Sequence, residues 1–204
     1  MKFKRVFAPA IALAAVVSLA ACSNDDDSGH DMASMPSATE IEEQESSAQG
    51  DLFNQQDMMF AQMMVPHHEQ AIEMSDVILV KDGVDPQVVD LGNQIKGAQG
   101  PEIEQLSTWL EEWGSPMAES GSMDHGSMDG MMGEEDMQAL QDAQGAEAGR
   151  LFLEQMIVHH QGAIEMAQVQ MDEGRHDDAV AMAQQIVETQ QAEISTMEDL
   201  LASM

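Results

Sequence analysis

The segment Phe60-Ala-Gln-Met-Met-Val-Pro-His67-His68-Glu-Gln-Ala-Ile-Glu-Met74 returns 92 residues later as Phe152-Leu-Glu-Gln-Met-Ile-Val-His159-His160-Gln-Gly-Ala-Ile-Glu-Met166. The likeness continues downstream: Gln94-Ile95, Gln99, Glu102-Ile103 and Leu106 come back as Gln185-Ile186, Gln190, Glu193-Ile194 and Met197 at an offset of 91. The repeating unit is therefore a helical hairpin present twice. One hairpin can cover only one side of its own apolar stripe, so the economical solution packs the two units together. This reading predicts an all-α chain, a ferritin-like four-helix bundle with an approximate twofold axis. No stretch alternates with period two, and no sheet is expected.

The ends of the chain are of a different kind. Lys2, Lys4 and Arg5 precede an apolar run from Val6 to Ala21, and Leu19-Ala20-Ala21-Cys22 follows the pattern of a bacterial lipoprotein signal, with Cys22 the only cysteine. We read residues 1–21 as a signal peptide and Cys22 as the lipid-bearing residue, placing the protein outside the cytoplasm, anchored to the cell membrane. Residues 1–21 hold three of the seven basic residues and none of the 38 acidic ones, so the remainder carries 38 acidic against four basic side chains, a formal charge of −34. Such a surface excludes nucleic acid as a partner and attracts cations. Residues 22–50 are acidic and rich in Ser and Ala; with so little apolar area to bury they read as a flexible tether.

Local signals place the helices. Asp51 is a candidate cap for a helix running through His67 to about Val80, and Asp85-Pro86 opens a second that Gly114 stops, giving a first hairpin over residues 51–114. Pro101 removes a backbone bond and should kink that second helix. Residues 115–133 are rich in Gly, Ser and Met and form a flexible connecting loop. The second hairpin, residues 134–204, holds a short helix from about Glu134 to Asp142, a long one from about Glu147 to Glu173 and a last one from about Asp177 to Leu201.

On a helix His67 lies amid Phe60, Met63, Met64, Ala71, Met74 and Ile78, in the middle of the apolar stripe, and His159 lies likewise amid Phe152, Met156, Ala163 and Met166. His68 and His160 fall about 100° round, on the flank, with Asp57 beside His68. The partner helices carry Gln99 and Glu102, and Gln190 and Glu193, within their apolar stripes. Buried carboxylates and amides are costly unless paired, so these groups should meet the core histidines or a bound cation. Two readings follow. The polar residues form a hydrogen-bonded network that specifies the bundle, with Met filling space, or they surround a metal.

Thioether sulfur is a soft, neutral ligand suited to Cu(I), and imidazole accepts copper in either oxidation state. His67 has Met63 at i−4 and Met74 at i+7 on one face; His159 has Met166, but Gln155 stands at the position of Met63. Glu102 and Glu193 are candidate acceptors from the second imidazole nitrogen, with Gln99, Gln190 and Asp57 in supporting places. A second, auxiliary metal-binding set lies in the loop, where Met117, Met123, His125, Met128, Met131, Met132 and Met137 occur among Gly, Ser and Asp, and His30, Met32 and Met35 in the tether are a shorter example. Cysteine-based zinc or thiol chemistry is excluded once Cys22 is assigned to lipid. No Glu-x-x-His pair of the di-iron kind precedes the histidines, and no Ser-His-Asp set or phosphate-binding loop stands out.

At Asp57-x-x-Phe60-x-x-x-Met64-Val-Pro-His67-His68-x-x-Ala71-Ile72-x-Met74, and at Phe152-x-x-x-Met156-Ile-Val-His159-His160-Gln-x-Ala163-Ile164-x-Met166, the chain resembles the domain-of-unknown-function 305 family, which includes CopM-like envelope copper-binding proteins. The resemblance spans roughly residues 51–203. It implies a ferritin-like four-helix bundle, a copper-binding role, and His67, His68, His159 and His160 with Met64, Met74, Met156 and Met166 as ligands. The family often has an acidic residue where this chain has Gly149, the counterpart of Asp57, so the two half-sites are expected to be unequal.

The expectation is a lipid-anchored envelope protein, not an enzyme, that binds copper as Cu(I) for sequestration or for handover to a copper pump or copper oxidase. The alternatives are an oxidoreductase built on a His/Glu metal centre and a bundle that only stabilises a complex at the membrane. A metal-free bundle of that kind would tolerate His67→Ala at a packing cost of about 1–3 kcal/mol.

Overall fold

A computed structural model describes residues 52–115 and 130–204, and all secondary structure among them is helical. The helices are α1 (Gln55–Leu79), α2 (Pro86–Glu112), α3 (Glu134–Asp142), α4 (Gly145–Glu173) and α5 (Asp177–Ser203). Cys22, the signal and tether segments, His30, Met32, Met35, Asp51, Met117, Met123, His125 and Met128 lie outside the described residues.

Three of the helix starts have a side-chain cap. Asn54, rather than Asp51, caps α1: its side chain accepts from the Asp57 N–H at 3.0 Å while the Asp57 carboxylate accepts from the Asn54 N–H at 2.7 Å, a reciprocal capping box. Asp85 caps α2 ahead of Pro86, which has no N–H to leave unsatisfied. At the equivalent place in the second half, His176 Nδ1 accepts from the Ala179 N–H at 3.2 Å and starts α5. Gly83 and Gly114 close the hairpin turn and the end of α2 with φ of 79° and 67°. α2 runs from Pro86 to Glu112 as one helix through Pro101.

α1 pairs along its length with α2, and α4 with α5; the hairpins then join chiefly through α1 against α4. The apolar core falls into two clusters. One holds Phe60, Met64, Val65, Leu106, Leu110, Ala163, Ala167 and Ile186. The other holds Met74, Ile78, Ile95, Leu140, Phe152, Leu153, Met156 and Met197. In each cluster the first half of one histidine helix meets the second half of the other, as antiparallel packing of α1 on α4 requires. The four histidines lie between the clusters along both helices. Phe60 and Phe152 are the largest fully buried side chains of their respective clusters, 2% and 0% exposed; truncating either to Ala costs about 3–5 kcal/mol.

The part of the 115–133 connection that is described is docked on the bundle rather than loose. The Met132 N–H donates to Gln70 Oε1 and the Gln70 amide donates back to the Met132 carbonyl, both at 2.8 Å. Gly130 has φ 84°, and a Cβ there would stand 2.9 Å from Gly162 Cα and the Val158 carbonyl oxygen, so only glycine lies flat on α4. α3 then rests on α1 and α4: Met137 and Leu140 enter the core, the Gln155 amide donates to the Asp136 carbonyl at 2.9 Å, and Lys81 Nζ reaches the carbonyls of Gln141 and Ala143.

Candidate metal centre

His67 and His159 face each other across the α1–α4 seam, ring centroids 3.8 Å apart and planes tilted by 41°, with no solvent exposure. The doubled pattern thus brings two equivalent core histidines into direct contact. His68 and His160 are also wholly buried, not boundary residues. The reason is the partner helix: α2 lies over the flank that carries His68, and α5 over the flank that carries His160. Each brings a carboxylate with it. His68 Nε2 lies 2.7 Å from Glu102 Oε2, and His160 Nε2 lies 2.7 Å from Glu193 Oε2. The glutamates therefore meet the flanking histidines, whereas sequence alone set them beside the core pair.

A neutral imidazole donating from Nε2 turns a bare lone pair outward at Nδ1. The Nδ1 atoms of His68 and His160 are buried without a hydrogen-bond partner, as are Oε1 of Gln190 and both the oxygen and the nitrogen of the Gln99 side-chain amide. Gln99 and Gln190 lie one turn from Glu102 and Glu193, each 2% exposed. Polar atoms left unpaired in a core each cost about 1–3 kcal/mol. The lone pairs on the His68 and His160 Nδ1 atoms suit a cation. Burial first, and then the neighbouring His67, His160 and His68, hold the His159 pKa well below its ordinary value. The ring is therefore neutral at pH 7 and a proton does not compete for it.

The thioethers flank this layer on both sides. Met64 and Met166 belong to the cluster on one side, Met74 and Met156 to the cluster on the other. Met63 is half-buried and lines a surface cleft with Met166. Met132 and Met137, expected in a mobile metal-catching loop, are instead core residues, and Met131 is half-buried beside them. Among the described residues no three His, Cys, Asp or Glu side chains form a metal-binding group of their own.

Asp57 has a different task from the one its place beside His68 suggested. Fully buried, its carboxylate accepts from the Asn54, Arg175 and His176 N–H groups and from the Gln170 amide, tying the start of α1 to the α4–α5 turn. Sequence reasoning missed Gln170, yet a signal exists. Asp57 is replaced by Gly149 in the other repeat and Gln170 by Ile78, and the two departures touch each other. The Gly149 site is apolar, facing Val84 and Val88.

Residues 57–201 match the family model of DUF305, a domain of unknown function. The chain belongs to the DUF305 family. A DUF305 fragment from Deinococcus radiodurans superposes with a TM-score of 0.68 at 34% identity, covering 74% of this chain and 98% of that one. A DUF305 protein from Streptomyces coelicolor, described as secreted, gives 0.65 at 32%, covering 72% and 91%. CopM in its Cu(I)-bound form gives 0.60 at 30%, covering 72% and 96%, and structures of CopM with Cu(II) and with silver are similar as well. A comparison with curated proteins finds no match. No described helix of this DUF305 chain is long and apolar enough to cross a membrane.

Proposed function

We propose that this DUF305 protein is an extracytoplasmic copper-binding lipoprotein that holds Cu(I) in the histidine layer between its repeats, for sequestration or for handover to a copper pump or copper oxidase. The observation that carries the reading is the buried layer itself: two pairs of adjacent histidines, one ring of each pair held by a carboxylate at 2.7 Å, the other meeting its counterpart at 3.8 Å, with methionines on both sides. Glu102 and Glu193 fix the tautomer of His68 and His160 and turn Nδ1 toward the interior. Met64, Met74 and Met156 supply soft donors, and their neutrality leaves a monovalent ion uncrowded by negative charge. CopM, solved with Cu(I), Cu(II) and silver, supports the choice of metal. Anchoring through Cys22 is read from the Leu19-Ala20-Ala21-Cys22 pattern. Nothing in this arrangement requires a change of oxidation state, so the protein is read as a carrier and not an enzyme.

The test is anaerobic titration of the whole chain with Cu(I) against a competing chelator, beside the His67→Ala/His159→Ala variant, with circular dichroism to verify that the variant folds. Tight stoichiometric binding that the variant loses is the expected result. Weak binding unchanged by the substitutions refutes the core site and leaves the histidines as structural residues.

A further inference from the structure

The duplication sets up a comparison within the molecule. On the seam between α1 and α4, α3 covers one half: Met137 and Leu140 pack in the cluster of Phe152, Ala148 and Met74, with Leu151 and Val77 against it. Moved by the repeat offset of 92, that ground corresponds to Phe60, Gln56, Met166, Met59 and Val169. Those residues, with Met63 and Glu165, line a cleft of about 310 Å³. Among the described residues the cleft is the uncovered twin of the α3 groove. Met59 and Val169 there are 43% and 45% exposed.

The two halves differ in chemistry as they do in cover. Beneath α3 the repeat has Leu151 and Gln155; in the open cleft the same positions are Met59 and Met63, joined by Met166 from α4. Three thioethers from two helices thus line one solvent-open cleft, with the Glu165 carboxylate at its wall. Met59 and Met63 are one turn apart on one face, and Met63 is one turn before His67. A flexible, polarisable side chain that is 43% exposed contributes little to packing, so its replacement of Leu is not explained by the core.

We propose that Met59, Met63 and Met166 form a separate thioether site for a soft monovalent cation, Cu(I) or Ag(I), at the surface end of a path to the histidine layer. The inference deepens the copper-binding reading and rests on it for the direction of transfer. Neutral sulfur binds such an ion without holding it as an anionic cage would, which suits a point of entry. The net negative charge of the chain raises the local concentration of any cation that reaches the cleft.

The whole chain, labelled with ¹³C at the methionine methyl groups, is titrated anaerobically with Ag(I). The Met59, Met63 and Met166 methyl signals are expected to shift, and to shift still in His67→Ala/His159→Ala. The Met59→Leu/Met63→Leu variant preserves volume and folds. In it the cleft affinity should fall on the order of 100-fold, read from the Met166 methyl, while the shifts of Met64, Met74 and Met156 persist. Fixed Met59 and Met63 signals alongside shifting core methionines overturn the cleft site and leave the core reading standing. Shifts confined to the cleft uphold the site and refute the core.

Discussion

Asp57 offers the sharpest test of which polar residues hold the fold and which hold the ligand. In Asp57→Ala four donors lose their acceptor: the N–H groups of Asn54, Arg175 and His176 and the side-chain amide of Gln170. At about 1 kcal/mol for each abandoned donor the loss is about 4 kcal/mol, and less where water re-enters beside the α4–α5 turn. Asp57→Asn keeps one acceptor oxygen and the volume but turns an NH₂ toward N–H groups, so about 2 kcal/mol is expected. Urea unfolding followed by circular dichroism measures both, with the midpoint moving at constant slope. For a domain of this size 4 kcal/mol corresponds to roughly 8–16 °C in melting temperature. Asp57 and His67 are ten residues apart on α1, about 15 Å along the axis, so Cu(I) affinity should change less than about threefold. A stability loss under about 1 kcal/mol, or a Cu(I) affinity lowered tenfold, refutes the assignment of Asp57 to the scaffold.

Three further outcomes follow from the same geometry. Because the folded His159 binds its proton more weakly than the unfolded chain does, its contribution to stability is present above about pH 6.5 and is lost as pH falls from there toward the depressed folded value, at up to about 1.4 kcal/mol per pH unit; urea midpoints between pH 7.5 and 5 that stay level contradict this. Replacing Glu102 and Glu193 by Gln keeps an acceptor oxygen for Nε2 of His68 and His160 but removes the negative charge that strengthens those bonds, and should weaken Cu(I) binding about 10–100-fold in a competition titration, with the helical spectrum retained. Gly130→Ala drives a methyl group into the α4 backbone at a φ unfavourable to it and should lift the 130–133 strap; a thermal scan is expected to show a loss of about 1–3 kcal/mol, and an unchanged scan argues against the close approach.

Much of this arrangement is legible in the sequence, because duplication and period 3.6 are properties of the chain alone. They place His67 and His159 in the apolar stripes of two long helices, and the caps at Asp85-Pro86 and the stop at Gly114 fall where local chemistry puts them. Single-helix geometry fails where a second helix supplies the environment. His68, about 100° from the stripe, counts as a boundary residue until α2 covers it and delivers Glu102 to its ring. Met132 looks like part of a Met-rich linker until Gln70 grips its backbone from another helix. The position of Asp57 was misleading for the same reason, since its partners Gln170, Arg175 and His176 are more than 110 residues away.

The contact between His67 and His159 also has a bearing on dilution. Each repeat supplies one of the two facing rings, so hairpins on separate chains would build the centre only by meeting, and its occupancy would fall with protein concentration. Joined in one chain, each ring sees the other at an effective concentration on the order of millimolar or above, whatever the abundance of the protein. The histidine pair is thus as complete in a single scarce molecule as in a crowded layer of them, and on the proposed function an ion is held or given up there without an encounter between two copies.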